Sequence, residues 1–277
     1  MQEEHITLRS RIPFHGRKWL TPESPKGVVL FVHGWGDHCG RYANVAKSLN
    51  GLGISAYGFD FEGHGETPGL RAYIDDFATL VSDLAVFIAY VKNECPEAPL
   101  YVCGYSMGGC VAATYIVSEP AHGLAGVIFC ASALQTSKDI SPLKIFAARV
   151  LGDLWPKLRL ANLTAGHLMS RDTSEVEKYE DDQSIYHGKI TARTGKQLLL
   201  ANDRIGQKLN KIDLPLLVLQ GSRDELVSPE GGRAVYEQAT SQDKKLEVYE
   251  GAFHDLFHEV NREEVIGDLC NWLSARI

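Results

Sequence analysis

Ser106 stands between two glycines in the stretch "GYSMGG" (104–109), after an apolar run and before a helical pattern. A chain that turns from strand to helix at one residue strains its backbone, and Gly104 and Gly108 have no Cβ to collide there. The serine hydroxyl is then held at the tip of a sheet, beside helix N–H groups that favour negative charge. G-x-S-x-G in this setting predicts a nucleophilic serine. We prefer this interpretation to a glycine-rich turn with an incidental serine, because partner residues follow downstream.

A serine hydroxyl needs a base to take its proton, and in this type of site the chain order is serine, acid, histidine. Asp224 follows a strand candidate in "LQGSRDELVSPE" (219–230), and His254 follows the last one in "YEGAFHDLFHE" (249–259). The carboxyl ends of parallel strands meet at one edge of a sheet, so both residues are expected beside Ser106. There Asp224 would fix the imidazole tautomer and stabilise its positive charge.

Rival acids and bases occupy less suitable positions. Asp213 precedes its strand, and Asp203 lies in a helical stretch. His258 is one helical turn beyond His254, and we interpret it as a solvated histidine on a helix face. The His254–His258 pair lacks the HExxH order and a third ligand, so the sequence predicts no metal site and no cofactor.

Stabilising an oxyanion requires two N–H donors. The N–H of Met107, next to the nucleophile, is one candidate, and Trp35 in "HGWGDHCGRY" (33–42) offers the other. His33 and His64 are expected to brace their loops through hydrogen bonds rather than to transfer protons.

Short β-branched runs alternate with helical patterns, which predicts an α/β protein with a mostly parallel sheet flanked by helices. The strand candidates are 28–34, 54–61, 100–106, 126–132, 214–221 and 245–251, with possible antiparallel edge strands at 7–11 and around Trp19. The helix candidates are 42–49, 75–93, 107–117, 229–239 and 260–274. No strand candidate appears between about 133 and 195, which is long for an α/β connection. We therefore predict a helical cap at 133–195 inserted into a core formed by 1–132 and 196–277.

The predicted cap carries an apolar stripe at helical spacing. Its members are Leu143, Phe146, Ala147, Val150, Leu151 and Leu154. Between 138 and 159, Lys138, Lys144, Arg149, Lys157 and Arg159 outnumber Asp139 and Asp153. A basic, amphipathic helix suits an acyl chain or a membrane surface. The alternative, in which the stripe packs on the sheet, remains open at this point.

Composition limits the class of partner and compartment. The net charge of −7 argues against a nucleic-acid partner, since no chain-wide attraction to phosphate exists. The six cysteines form no CxxC pair, and Cys103 and Cys130 lie in apolar runs. The N-terminus "MQEEHITLRS" has no apolar signal-peptide core, and no apolar stretch is long enough for a membrane span. We expect a cytoplasmic protein, with possible peripheral contact at membranes or lipid droplets through the cap.

The segments "HGWGDHCGRY", "FDFEGHGETPG", "GYSMGG", "LQGSRDELVSPEG" and "YEGAFHDLFHE" together resemble the α/β-hydrolase fold. More closely, they resemble monoacylglycerol lipases and the related lysophospholipase-like serine hydrolases, from about Val28 to Trp272.

The resemblance implies specific roles for several residues. It implies that Ser106, Asp224 and His254 are catalytic and that Trp35 and Met107 form the oxyanion hole. It also implies that Arg41 and Tyr179 lie near the pocket end that receives glycerol, while the cap residues Leu151 and Leu154 are expected to contact the acyl chain. Two positions depart from the family pattern: Trp35 is bulky where small residues are common, and Phe257 stands where another histidine is frequent. Trp35 is therefore expected to narrow the alcohol pocket.

These features predict a carboxylester hydrolase that cleaves monoacylglycerols through an acyl-serine intermediate, with a lipid ester as its partner. The alternatives are a lysophospholipase, a thioesterase or a short-chain esterase with the same triad. A ligand-binding receptor of the same fold is a further alternative, but such proteins usually lose a member of the triad or an oxyanion donor. Acyl-chain preference and oligomeric state do not follow from the sequence.

Overall fold

The computed structural model describes residues 2–135, 141–162 and 165–277, apart from the side chains of Pro142 and Lys144. The described residues form an eight-stranded sheet with the strand order β1-β2-β4-β3-β5-β6-β7-β8. The strands are β1 (Gln2–Arg9), β2 (Pro13–Leu20), β3 (Gly27–Val32), β4 (Ile54–Phe59), β5 (Leu100–Tyr105), β6 (Gly126–Cys130), β7 (Leu216–Gly221) and β8 (Lys244–Tyr249). The predicted α/β fold is confirmed.

Strands β3 to β8 pair in parallel, and every residue of β3 to β7 is buried. Their near-continuous apolar runs arise because helices cover both faces of a parallel sheet. Val28, Leu30 and Val32 face one core cluster, whereas Val29 and Phe31 face the other. The sheet is thus a rigid platform between two cores, and its carboxyl edge is where the candidate site lies.

The two predicted edge strands form a hairpin at one side of the sheet. β1 pairs antiparallel with β2, and β2 pairs antiparallel with β4. Both strands are longer than the sequence indicated, and outward-facing residues of β1 alternate with half-buried ones.

The helices occupy the predicted intervals of the core. They are α1 (Ala43–Asn50), α2 (Phe77–Glu94), α3 (Met107–Ser118), α4 (Pro142–Leu154), α5 (Gly166–Met169), α6 (Thr173–Asp181), α7 (Ala192–Gly206), α8 (Pro229–Gln238) and α9 (Arg262–Ser274). Short 3₁₀ helices span Cys39–Tyr42, Leu209–Lys211 and Leu256–His258. Asp76 caps α2 by accepting from the N–H of Ala78 at 3.0 Å, which stabilises the start of the helix. Pro229 is the first residue of α8, where its fixed φ suits the helix.

Helices α4 to α7 fill the long interval between β6 and β7, where the cap was predicted. The predicted boundary between residues 195 and 196 lies inside α7, which continues unbroken across it. The Thr194 hydroxyl accepts from the N–H of Ile74 at 2.9 Å, and Gln197 Oε1 accepts from the N–H of Phe77 at 3.1 Å. Since these acceptors hold the start of α2, α7 is tied to the core as well as to the cap.

The apolar stripe of α4 faces outward. Leu143, Phe146 and Leu154 are 75%, 64% and 62% exposed, and Trp155 and Leu158 beyond the helix are exposed too. The inward face carries small residues: Ala148 is buried, and a Cβ at Gly152 would lie 2.8 Å from the Cβ of Lys196 on α7. Small residues therefore let α4 pack closely on α7. The alternative that this stripe packs on the sheet is wrong.

The predicted charges of this region are described in part. Lys138 and Asp139 lie outside the described residues, as does the side chain of Lys144. Arg149 pairs with Asp203 on α7 at 2.5 Å, and Lys157 is exposed.

All six cysteines are free, and Cys103 and Cys130 are buried in the sheet as predicted. Within residues 2–135, 141–162 and 165–277, no helix has the length and apolar character needed to cross a membrane.

Candidate active site

Ser106 lies at the turn between β5 and α3 with φ of 52° and ψ of −119°, a backbone conformation that residues other than glycine rarely adopt. The turn is this tight because the first turn of α3 packs directly against the sheet. A Cβ at Gly108 would lie 2.0 Å from the carbonyl oxygen of Val32, and one at Gly104 would lie 2.6 Å from the Cα of Gly109. The flanking glycines thus have the role that the sequence predicted. Ser106 itself is partly exposed at the end of a buried strand.

The loop after β3 lies against the serine. A Cβ at Gly34 would lie 3.2 Å from the Cβ of Ser106, a tight contact, so a glycine at this position favours the close approach. Among the described residues, the N–H groups of Trp35 and Met107 have no hydrogen-bond acceptor. An oxyanion hole requires two free N–H groups close to the nucleophile, and these two belong to the residue after the serine and to the loop that approaches it.

His254 and Asp224 form a buried hydrogen-bonded pair. Nδ1 of His254 lies 2.7 Å from Oδ2 of Asp224, and both side chains are almost fully buried. Oδ1 of Asp224 accepts the N–H groups of Leu226 and Val227, both at 2.9 Å. These bonds orient the carboxylate, so that it accepts the Nδ1 proton and leaves Nε2 of His254 free to act as a base.

The pKa of His254 lies above its ordinary value of 6.5. Burial alone would lower this pKa, but the negative charge of Asp224 and the hydrogen bond between Asp224 and His254 more than offset that effect. The Asp224 carboxylate therefore makes His254 a stronger base than burial alone would allow.

The segment that carries His254 is held by hydrogen bonds to Glu259 and to the cap. Glu259 is fully buried and accepts the N–H of Phe253 at 2.9 Å, and its carboxylate pairs with Arg171 at 3.0 Å. The N–H of Asp255 donates to the carbonyl of Met169 at 2.7 Å. Both residues adjacent to His254 are thus fixed by hydrogen bonds.

The structure brings the predicted histidine close to the serine turn and leaves the two rival acids elsewhere. The ring of His254 lies 5.0 Å from the ring of Tyr105, the residue before Ser106. Asp203 lies on α7 and pairs with Arg149, and Asp213 precedes β7 as predicted.

Arg41 and Tyr179 meet beside this site. The guanidinium carbon of Arg41 lies 4.9 Å from the centre of the Tyr179 ring, and Arg41 also pairs with the buried Asp255. Burial alone would raise the pKa of Asp255, but the charge of Arg41 lowers it well below the usual range. Sequence reasoning missed Asp255, although it directly follows His254.

His258 was interpreted as a solvated histidine, and this is wrong. It lies in the short 3₁₀ helix Leu256–His258 before α9 begins, and its side chain is mostly buried. Nδ1 of His258 lies 2.9 Å from Oδ1 of Asp255 and 3.1 Å from Nη2 of Arg41. The chain turns away from a regular helix here, which places His258 in the Arg41–Asp255 network.

The cap is tied to the loop that contains Trp35. The N–H of Tyr186 donates to the carbonyl of Gly36 at 2.7 Å, and Nε2 of His38 lies 3.0 Å from Oδ2 of Asp182. The hydrogen bond to His38 lowers the pKa of Asp182 to about 2. The cap thus helps to hold one of the two candidate oxyanion donors.

Other residues singled out from the sequence are structural. Nδ1 of His33 lies 2.7 Å from the carbonyl of Gly34, and its Nε2 accepts the N–H of Phe61 at 2.9 Å, so His33 braces its loop as predicted. The indole N–H of Trp35 donates to the carbonyl of Ala72 at 2.8 Å, and its ring packs edge-on against Tyr186.

His64 and Phe257 are buried as well. Nδ1 of His64 lies 3.0 Å from the carbonyl of Glu62, and burial lowers the pKa of His64 to about 3, so it stays neutral. Phe257 packs against Phe31 and Tyr42 in the core.

Metal-binding side chains meet at a different place. Among the described residues, the groups able to hold a metal are His5, His15 and Glu66, and the overlapping set of partly buried His15 with buried Cys39 and Asp60. His254 and His258 belong to neither group.

Taken together, the geometry suits nucleophilic acyl transfer. A strained, partly exposed serine lies beside two free N–H groups, and a histidine oriented by a buried carboxylate approaches the same turn. These are the groups that the attack of a serine on an ester carbonyl requires.

Comparisons with known proteins agree with this chemistry. A family model described as "Serine aminopeptidase, S33" matches residues 23–261. Monoglyceride lipase of Rattus norvegicus is 34% identical over 263 residues, covering 94% of this chain and 86% of that protein. Monoacylglycerol lipase of Mycolicibacterium smegmatis is 31% identical and covers 94% of this chain and 92% of that protein. The crystal structure of Paleococcus ferrophilus monoacylglycerol lipase superposes with a TM-score of 0.84 at 30% identity, over 95% of this chain and 99% of that one.

Titration of His254 tests the electrostatics of the site. We expect its pKa, followed by NMR of the imidazole, to lie above 6.5 in the wild type and to fall in Asp224→Asn, because the variant loses the largest effect that opposes burial. Since only neutral His254 can accept the serine proton, the rate of ester cleavage should rise with pH around the same raised midpoint. An unchanged His254 pKa in Asp224→Asn would contradict the assigned pair.

Proposed function

The chain belongs to the monoglyceride lipase branch of the S33 serine hydrolases, and we propose that it hydrolyses monoacylglycerols to fatty acid and glycerol through an acyl-Ser106 intermediate. The observation that carries the proposal is the buried Asp224–His254 hydrogen bond beside the strained turn at Ser106. The names of the relatives supply the substrate class, since both curated relatives and the solved structure described above are lipases of monoacylglycerols.

In the acylation step, Ser106 Oγ attacks the ester carbonyl carbon while Nε2 of His254 takes the hydroxyl proton. The carbonyl oxygen becomes negative and accepts hydrogen bonds from the N–H groups of Trp35 and Met107. Asp224 stabilises the imidazolium that forms. The tetrahedral intermediate then breaks its bond to the glycerol oxygen, which takes the proton from His254 and leaves as glycerol.

In the deacylation step, a water molecule attacks the acyl-serine carbonyl, and His254 again accepts the proton. The second tetrahedral intermediate breaks its bond to Ser106 Oγ, which recovers a proton from His254. The fatty acid leaves, and the enzyme returns to its starting state. Both steps use the same two N–H donors, so their fixed position lowers both barriers.

Arg41 and Tyr179 are proposed to face the glycerol end of the substrate. Nη1 of Arg41 is buried and has no hydrogen-bond partner among the described residues. A buried, charged donor that is left free costs stability unless a ligand or water accepts from it. A glycerol hydroxyl offers such an acceptor.

The outward face of α4 is proposed to contact a lipid surface. Its large apolar residues are exposed together, which is unusual for a monomer unless the patch binds something. The exposed Lys157 and Arg159 that follow the helix suit anionic head groups. Leu154 lies on this outward face and Leu151 is half-buried next to it, so their predicted contact with the acyl chain would occur as the substrate leaves the lipid phase. Peripheral location at membranes or lipid droplets follows from this proposal.

Ser106→Ala should abolish both labelling by a fluorophosphonate probe and hydrolysis of monoacylglycerols, because the variant lacks the hydroxyl that attacks the ester carbonyl. The matched control is Ser118→Ala at the other end of α3, which should keep both. Monoacylglycerols should also be cleaved faster than lysophosphatidylcholine or a short p-nitrophenyl ester. Labelling of a folded Ser106→Ala protein would refute the assigned nucleophile, and a preference for lysophosphatidylcholine would refute the substrate class.

Asp224→Asn should keep the fold but lower the turnover number by about 10⁴, because the amide favours the wrong imidazole tautomer. Asp203→Asn and Asp213→Asn are matched controls and should retain nearly full turnover. The assignment of the acid is wrong if either control loses turnover while Asp224→Asn retains it. Circular dichroism should verify that all three variants are folded.

Leu143→Ser combined with Phe146→Ser should weaken binding to lipid vesicles by about tenfold or more, since burying one such side chain gains about 1.5–3 kcal/mol. The melting temperature and the hydrolysis of a soluble ester should change little, because both side chains are exposed. Val260→Ser, an exposed apolar residue outside the cap, is the control for vesicle co-sedimentation. Unchanged vesicle binding by the double variant would exclude α4 as the contact.

A further inference from the structure

Three side chains able to ligate a metal meet on the outer hairpin, away from Ser106. His5 lies on β1, His15 on β2 and Glu66 in the segment after β4. In the antiparallel register Thr7 lies opposite His15 and Arg17 lies opposite His5, so both imidazoles stand on the same face. We propose that His5, His15 and Glu66 form a binding site for a divalent cation of the Zn²⁺ class.

The separations between the three ligand atoms suit one ion. Nδ1 of His5 lies 3.1 Å from Nε2 of His15, and Oε1 of Glu66 lies 3.6 Å from the same Nε2. All three atoms lie within 4.8 Å of one another. Zinc–nitrogen bonds of about 2.0–2.1 Å in a tetrahedron place ligand atoms roughly 3.3 Å apart. Two imidazoles and one carboxylate are a common ligand set for zinc, and water would complete the coordination.

Asp60 orients His15 for this role. The carboxylate of Asp60 is fully buried, and its Oδ2 lies 2.9 Å from Nδ1 of His15. The proton of His15 is therefore held on Nδ1, and the lone pair of Nε2 points toward His5 and Glu66. A carboxylate behind a ligating imidazole is the usual support of a metal-binding histidine, because it fixes the tautomer and strengthens the ligand.

Nε2 of His15 then faces a carboxylate oxygen, and two acceptors do not attract each other. In the absence of an ion, the proton on Nδ1 of His5 can lie between the two imidazoles. Binding of Zn²⁺ requires only that exposed His5 carry its proton on Nε2 instead, so that both facing nitrogens present lone pairs. No proton is released overall in this exchange.

The charges around the cluster favour a cation. The carboxylates of Glu3, Glu66 and Asp60 are close by. Among the described residues, Arg17 is the only arginine or lysine that forms an ion pair with any of them. Arg17 is held by Glu3 at 3.1 Å and lies 3.5 Å from Glu66. Glu3 therefore keeps Arg17 paired when Glu66 turns to the ion.

The proposed site departs from the sequence analysis, which predicted no metal site. Residues 5, 15 and 66 have no spacing characteristic of a metal motif, and only the hairpin register brings them together. The site is linked to the loop of Trp35, because Oδ1 of Asp60 accepts the N–H of Cys39 at 2.7 Å. The proposal does not depend on the hydrolase function, since binding is measured without substrate.

Isothermal titration calorimetry with ZnCl₂ on the metal-free, untagged chain tests the proposal. We expect saturable binding of a single equivalent by the wild type, weakened about tenfold or more in His5→Ala and in Glu66→Gln. Both residues are at the surface, and Asp60 keeps its bond to His15 in each variant. His167→Gln, an exposed histidine of the cap, is the matched control and should bind as the wild type does. With Co²⁺ as the probe, the visible absorption of the bound ion should be lost in the same two variants.

The absence of saturable Zn²⁺ binding by the wild type would overturn the proposal. Binding as tight as the wild type in either His5→Ala or Glu66→Gln would also overturn it, because the ion would then lie elsewhere.

Discussion

The close packing of α3 against the ends of β3 and β5 is the constraint on which the candidate site depends. The helix begins one residue after the strand, so Ser106 has no regular conformation available and takes a positive φ. Such strain costs about 1–3 kcal/mol and persists only where the surroundings fix it. Here the surroundings are a sheet with five fully buried strands, and burying even a few of its apolar side chains offsets that cost. Because Met107 is the first residue of α3, its N–H has no intrahelical acceptor.

The second half of the site is held by polar contacts rather than by apolar packing. The loop 33–42 approaches Ser106 through a glycine, and its free donor at Trp35 is positioned by bonds to residues on both sides. His33 bonds within the core, whereas Gly36 and His38 bond to the cap. Donors that are fixed before the substrate arrives need no reorganisation when negative charge develops, which is the main advantage of a preorganised site.

Much of the fold and the main candidate residues could be predicted from the sequence, because they depend on local patterns. Apolar runs gave the strands, and the strand-turn-helix motif identified Ser106. The environment of His258 could not be predicted, since it depends on the chain leaving regular helix geometry after His254. The outward direction of the α4 stripe depends on Ala148 and Gly152 packing on α7, and periodicity reports only that one face is apolar. The hairpin cluster of His5, His15 and Glu66 requires the strand register, which no spacing in the sequence encodes.

Helix α7 makes the two ends of the cap insertion physically different. Directly after β6, residues 131–135 form neither a helix nor a strand, but the chain returns to the sheet through a helix whose side chains hold the start of α2. Recombination between related hydrolases could therefore exchange the segment from the end of β6 to about residue 191 at little cost to the core. An exchange that also replaced α7 would remove hydrogen-bond acceptors from the body of the protein. The segment that can be exchanged without removing these hydrogen bonds is thus smaller than the interval between β6 and β7.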